Sequence, residues 1–189
     1  MPAMKQWRSK QFPLRYARRQ LGFSLLELMV GITILGVLLG MGVPMFREVI
    51  QNNRLVAQNN DFVAALSVAR SEAIKRSNAV TVCASTNGTA CSGATTWSSG
   101  WLTFVDANSD GDLNGAEVVM QQAGSMVGGM ALTSTTFSSI RYTPTGMLNG
   151  TAGTFLLRKS GCTSTTGTKA RQIAVALTGR VSTTKVNCS

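Results

Sequence analysis

The sequence predicts an α+β protein in which one long N-terminal helix packs against antiparallel β-sheet. One observation is a hydrophobic run, Phe23–Val43, that continues into an apolar stripe with three- and four-residue spacing, which is typical of a helix. Another is the change at Val80, after which short alternating runs are separated by clusters of Gly, Ser, Thr and Asn. The first half of the helix is predicted to be transmembrane and the second half amphipathic.

The N-terminal part of the chain has the layout of a membrane anchor. Residues 1–22 contain six basic side chains and no acidic one. The run 23–43 has 21 residues, and Glu27 is its single charge. As a helix this run is about 30 Å long, which matches the hydrocarbon core of a bilayer. Basic residues before a membrane span predict a cytoplasmic N-terminus and an exported C-terminus.

Residues 44–79 are predicted to be the amphipathic half of the helix. Pro44 cannot donate a hydrogen bond to the carbonyl four residues before it, so we expect a kink there. Ser77 or Asn78 is expected to end the helix. The apolar stripe that should lie on a sheet consists of Phe46, Ile50, Phe62, Leu66, Ala69 and Ala73.

Residues 80–189 are predicted to form a β-rich C-terminal domain. Three stretches rich in Ser, Thr and Gly are predicted to be loops, namely 84–100, 124–139 and 160–169. Seven runs have the composition and alternation of strands: Val80–Cys83, Trp101–Val105, Glu117–Met120, Ile140–Thr143, Thr154–Leu157, Gln172–Leu177 and Arg180–Val186.

The chain contains no histidine and four cysteines. The lack of histidine removes Ser-His-Asp and Cys-His catalysis and every histidine-bearing metal site, so we do not expect an enzyme. An even number of cysteines after an export-like N-terminus predicts disulfides formed in an oxidising compartment. By sequence alone Cys83, Cys91, Cys162 and Cys188 allow three pairings.

The run Gly22-Phe-Ser-Leu-Leu-Glu27 at the head of the hydrophobic helix resembles the type IV prepilin signature. This resemblance implies that residues 1–22 are a leader peptide, which prepilin peptidase removes at the cytoplasmic side of the inner membrane. The cut would fall between Gly22 and Phe23, and Phe23 would then be N-methylated. Glu27 would become the fifth mature residue, where the family has its acid, and Pro44 matches the proline kink of many pilins.

Glu27 is also notable on physical grounds. A carboxylate within a membrane helix costs about 2.5–3.5 kcal/mol to insert, so it usually indicates a function or a partner. The α-amino group of Phe23 in a neighbouring subunit would neutralise Glu27 as subunits stack, which would set their axial register. The alternative is that Glu27, close to the start of the span, only extends to the cytoplasmic headgroups.

Three further segments, 66–83, 100–119 and 178–181, resemble the minor pilins and minor pseudopilins typified by FimT, FimU and GspH. The resemblance implies a pilin-like fold and a minor type IV pilin that primes a pilus or forms part of it with other pilins. The alternative is a GspH-like minor pseudopilin of type II protein secretion. In both cases the C-terminal domain would be periplasmic or extracellular. The same resemblance implies the disulfides Cys83–Cys91 and Cys162–Cys188.

The C-terminal third is basic, because seven Lys and Arg residues and no carboxylate side chain follow Glu117. Some FimT-like pilins bind DNA through a G-R-x-R pattern near the C-terminus. Gly179 and Arg180 match this pattern, whereas Ser182 replaces the second arginine. The alternative is a solvated charged surface. The candidate cations for binding double-stranded DNA are Arg180, Lys185, Arg171 and Lys169.

Residues 106–117, DANSDGDLNGAE, fit the calcium-loop pattern D-x-[DN]-x-[DN]-G-x₅-E. The flanking segments look like strands rather than the two helices of an EF-hand. Asn, Asp and Gly also suit a hairpin turn that needs no metal, which is the alternative. The candidate calcium ligands are Asp106, Asn108, Asp110, Asp112 and Glu117. No other cofactor is expected.

Overall fold

The computed structural model describes residues 22–115, 117–162 and 170–188. The chain divides into two compact units, Met1–Pro44 and Met45–Ser189. Among the described residues, the first unit is helical from Leu25 onward, and the second contains the rest of that helix and nine β-strands. The predicted fold class, a long N-terminal helix with antiparallel sheets, is confirmed. The expected leader, apart from Gly22, lies outside the described residues.

Helix α1 comprises Leu25–Arg76 and has 52 residues. It continues through Pro44, so the proline does not end it. At its C-terminus Ser77 adopts a left-handed conformation with φ of 50°, and the amide of Asn78 donates to the carbonyl of Ala73. This arrangement satisfies carbonyls that a helix end would otherwise leave unpaired, and it lies where the sequence predicts the end of the helix.

The strands form two antiparallel sheets. A five-stranded sheet has the order β3-β2-β1-β5-β6, and a four-stranded sheet has the order β4-β7-β8-β9. The strands are β1 (Val80–Ala84), β2 (Trp101–Val105), β3 (Val119–Ala123), β4 (Met130–Ser134), β5 (Ser139–Tyr142), β6 (Leu148–Asn149), β7 (Gly153–Lys159), β8 (Ala170–Val175) and β9 (Val181–Val186).

Strand β4 corrects the sequence prediction, because it lies inside the stretch 124–139 that is rich in Ser, Thr and Gly. It pairs along its whole length with β7, and this places Met130 and Leu132 in the core. Two apolar side chains are too weak a local signal for a strand, so the pairing partner decides the conformation. The two-residue strand β6 is likewise not predicted by the sequence.

The larger hydrophobic core joins the second half of α1 to both sheets. Phe62 of α1 is fully buried at its centre. The Phe62 ring makes edge-on contacts with the rings of Trp97, Trp101 and Phe155, with centroids 4.9–5.6 Å apart. Aromatic pairs in this geometry stabilise by about 0.5–1.5 kcal/mol each beyond their buried area.

The apolar stripe of α1 is shorter than the sequence predicts. Phe46 and Ile50 are exposed, and the first helical side chain in the core is Leu55. The prediction was wrong at these two positions because periodicity shows which side of a helix is apolar, but not where a partner sheet begins to cover it. The rest of the predicted stripe, Phe62 to Ala73, is buried as expected.

Candidate functional site

The described residues contain one helix that is long and apolar enough to cross a membrane. Its most apolar 18 residues have a mean hydropathy of 2.1, and none of them is buried. Every described side chain from 22 to 43 is exposed, including Leu26 and Leu38. Apolar surface of this extent is favourable only when lipid or other apolar surfaces remove it from water.

The expected cleavage position is accessible. Gly22 and Phe23 precede the first turn of α1 and are exposed, and the first helical hydrogen bond runs from the Leu28 amide to the Ser24 carbonyl. Glu27 lies in the first turn, where its negative charge interacts favourably with the helix dipole. Within the described part of the chain no Lys or Arg forms an ion pair with Glu27.

Among the candidate DNA-binding cations that the structure describes, the two exposed ones lie apart. Arg180 lies in the turn between β8 and β9 and is exposed, and Lys185 is exposed near the other end of β9. Five residues of extended strand separate them by about 17 Å. Lys169 lies outside the described residues.

For Arg171 the sequence predicts an exposed cation, whereas the structure places it in the interior. It pairs in register with Lys185, but only 7% of its surface is exposed. By strand alternation Arg171 shares the core-facing side of β8 with Ile173 and Val175. Its guanidinium donates to the carbonyl of Ala170. A side chain buried in this way is not available to a phosphate backbone, so the exposed pair is Arg180 and Lys185.

The acidic loop, residues 106–115 and 117, connects β2 to β3 as a hairpin connection. Some of the candidate calcium-binding oxygens accept hydrogen bonds from backbone amides of the loop itself. The amide of Asp112 donates to Asp110 Oδ1 at 2.9 Å, and the amide of Asp110 donates to Asn108 Oδ1 at 3.1 Å. The Asp112 amide, followed by the side-chain amides of Asn114 and Asn108, donates to the Asp110 carboxylate and holds its pKa below the ordinary value of 3.8.

Glu117 closes the acidic loop. Its two carboxylate oxygens accept from the amides of Ala107 and Asn114. Strand β3 begins at Val119 and not at Glu117 as predicted. Within the described residues, no group of three or more His, Cys, Asp and Glu side chains is arranged to hold a metal ion. Calcium binding at this loop stays a prediction, with the hairpin turn as its alternative.

Two disulfides fasten the β-rich part of the chain. Cys83 in β1 is bonded to Cys91, and Cys162 after β7 is bonded to Cys188 after β9. Of the three pairings that the sequence allows, these are the two bonds that the family resemblance implies. The first closes a short loop on one sheet, and the second ties the C-terminal end to the other sheet.

Comparison with known protein families identifies the class to which this chain belongs. The family described as "Type II transport protein GspH" matches residues 58–179. The chain belongs to the GspH family. The motif described as "Prokaryotic N-terminal methylation motif" matches residues 17–43 of this GspH-family protein. The chain is therefore a prepilin-like protein of the minor pilin and minor pseudopilin class, and the resemblance seen in its sequence is confirmed. No match is found among curated protein sequences.

Solved structures of a minor pilin share the fold of this GspH-family chain. The type IV minor pilin FimU of Pseudomonas aeruginosa is 20% identical, with a TM-score of 0.55, over 69% of this chain and 87% of FimU. The minor pseudopilin EpsH of the Vibrio cholerae type 2 secretion system is 11% identical, with a TM-score of 0.49, over 70% of this chain and 97% of EpsH. The likeness to FimU supports the pilin-like fold.

The segment Thr178–Val181 packs against a second turn of the chain, a role that its sequence does not predict. Gly179 has φ of 75°, and a Cβ there would overlap the carbonyl oxygen of Gly146 in another turn. Arg70 of α1 donates to that same carbonyl at 2.9 Å. Sequence analysis missed Arg70, because only the fold brings the helix and the two turns to one place.

Proposed function

We propose that this protein is a minor type IV pilin, a non-enzymatic subunit that primes a pilus or forms part of it. It is made as an inner-membrane prepilin and enters the fibre alongside other pilins. The exposed apolar half of α1 carries the proposal, since it finds no cover within the described chain. In the membrane, lipid covers this surface, and in a fibre the helices of neighbouring subunits replace the lipid.

In this proposal Glu27 sets the axial position of each subunit relative to its neighbour. Once the leader is removed, Phe23 carries a new α-amino group four residues from Glu27. A carboxylate that lies in apolar surroundings is costly unless a positive charge approaches it. Pairing with the amine of a neighbouring subunit removes that cost only when the two helices stack in one axial position.

The leader is tested by co-expressing the full chain with a prepilin peptidase and measuring the mass of the product. We expect the loss of residues 1–22 and the added mass of one methyl group on Phe23. An inactive peptidase is the control and should leave the chain at its full length. A chain that keeps its leader with the active enzyme would be an ordinary single-span anchor, and the proposal would fail.

The role of Glu27 is tested by Glu27→Gln, with Glu27→Asp as the charge-conserving control. Glu27→Gln should insert into the membrane at least as well, because a charge is removed from the apolar segment. Its incorporation into sheared fibres should fall about tenfold or more, equivalent to about 1.4 kcal/mol of assembly energy. Equal incorporation of wild type and Glu27→Gln would leave Glu27 as a headgroup contact.

A minor pseudopilin of type II secretion is the second candidate, and the description of the matching family favours it. Deletion of the gene in its host, with pilus assembly and protein secretion both measured, separates the two candidates. Loss of surface pili with normal secretion supports the pilin, and loss of secretion with normal pili supports the pseudopilin.

DNA binding stays a prediction, and the position of Arg171 changes its test. Duplex DNA is titrated against the folded chain at several salt concentrations, with Arg180→Ala and Lys185→Ala examined singly and together. If both cations contact phosphates, each substitution should lower the salt slope by about 1. Arg171→Gln should leave the slope unchanged. No binding at low salt would assign these cations to a solvated surface.

A further inference from the structure

Arg141 of strand β5 contacts two residues of the acidic loop, Asp106 and Ser109. Arg141 on β5 lies opposite Thr81 of β1, and both side chains reach Asp106 at the start of the loop. Thr81 Oγ1 donates to Asp106 Oδ2 at 2.7 Å, and Arg141 Nη1 lies 3.8 Å from that oxygen. The same nitrogen also donates to the carbonyl of Ser109 within the loop.

We propose that the Arg141 guanidinium supplies the positive charge that the buried Asp106 needs, so that a loop with calcium-loop spacing folds without calcium. A calcium loop gathers its oxygens around one positive charge. Here one oxygen of that pattern, on Asp106, faces the charge of Arg141, and the Ser109 carbonyl, which is not a ligand position of the pattern, faces the same charge.

The positive charge of Arg141 matters because Asp106 is buried. Asp106 is fully buried, and its Oδ1 has no hydrogen-bond partner among the described residues. The Oδ2 atom accepts from Thr81 and from the amide of Gly111. A buried carboxylate is costly without a compensating charge, and Arg141 is the described cation within ion-pair distance of it.

Two of the remaining candidate ligands, Asp110 and Glu117, accept hydrogen bonds from within the loop. Asp110 Oδ2 accepts from the side-chain amides of Asn108 and Asn114, and Glu117 accepts from two backbone amides. Loss of Arg141 would leave the buried Asp106 with an unmatched charge in a loop that also contains these carboxylates. That is the condition under which an external divalent cation becomes favourable.

The test is thermal unfolding of the full chain in detergent micelles, followed by near-ultraviolet circular dichroism with EDTA or with millimolar CaCl₂. The wild-type Tm should be the same in both. Arg141→Gln should lower the Tm by several degrees in EDTA, and calcium should restore part of that loss. Arg180→Gln, which removes an exposed arginine outside the loop, is the matched control and should respond like wild type.

The difference in calcium response between Arg141→Gln and wild type decides the proposal. A calcium-dependent rise in the variant alone supports it. Equal responses, whether both Tm values rise or neither does, would overturn it. If Arg141→Gln does not fold in EDTA, refolding on addition of calcium is the same readout. Arg141→Met, which keeps an unbranched aliphatic stem but removes the charge, repeats the comparison with a second variant.

Discussion

The side chain of Tyr142 places its hydroxyl group in the hydrophobic core. The residue is fully buried in β5, and its hydroxyl has no hydrogen-bond partner among the described residues. Burial raises the pKa of Tyr142 to about 12, and the nearby charge of Arg70 opposes this shift only in part. The hydroxyl therefore contributes a desolvation cost to folding that a phenylalanine would not have.

We predict that Tyr142→Phe leaves the free energy of unfolding unchanged, or raises it by up to about 2 kcal/mol, at neutral pH. The folded-state pKa lies above the ordinary value of 10.0, so the wild type should lose stability as the pH rises from 10 towards 12. The variant should lack this loss. Urea unfolding at pH 7 and pH 11 measures both effects, and a destabilised variant at pH 7 would reveal a partner for the hydroxyl.

Arg171 shows why a residue-level motif is not sufficient for a binding site. Its position in a basic stretch predicts a surface cation, but strand alternation turns it to the same side as Ile173. The misassignment has a simple cause, since charge counts along a sequence do not contain the direction in which each side chain points.

Among the elements, the two turns at Gly146 and Gly179 act as one unit. Each glycine has φ of 75°, and the amide of Leu148 donates to the carbonyl of Leu177, so the two turns are also joined by backbone. Arg70 adds a bond from α1 to the carbonyl of Gly146. The helix end and the tips of both sheets are thus connected by contacts that leave no space for a Cβ.

We predict that Gly179→Ala destabilises the domain by clearly more than Gly93→Ala. Both glycines have positive φ, at 75° and 66°, so both substitutions carry the backbone cost of about 1–2 kcal/mol. Only at Gly179 would the new methyl group also overlap a backbone carbonyl, which adds about 1–3 kcal/mol. Urea unfolding of the two variants gives the comparison, and equal losses would show that the two turns are not tightly packed.

At the scale of the whole chain, the two disulfides should contribute unequally. They join residues 8 and 26 positions apart. The loop-closure relation gives stabilisation of about 2.5 kcal/mol for the shorter loop and about 3.5 kcal/mol for the longer one. The longer bond also holds the end of β9, the edge strand of the four-stranded sheet.

We therefore predict a lower Tm for the double variant Cys162→Ala/Cys188→Ala than for Cys83→Ala/Cys91→Ala, with both below the wild type. Thermal unfolding without reductant measures the order. Reduction of the wild type with dithiothreitol should lower its Tm below that of either variant. The opposite order of the two variants would place the main constraint on the sheet that contains β1.

The sequence by itself determined the helix, its end at Ser77 and Asn78, the apolar half with Glu27, and the class of protein. These features follow from composition, periodicity and short motifs, which act between residues close together in the chain. The same kind of signal predicted most strands, because alternation is local too.

Only the tertiary structure decided where strand β4 forms, that Arg171 is buried, and that Arg141 meets Asp106. Each of these depends on which strand pairs with which, in what register and with which face on the helix. Pairing joins distant residues, and a change of one position would turn every side chain of a strand to the other face.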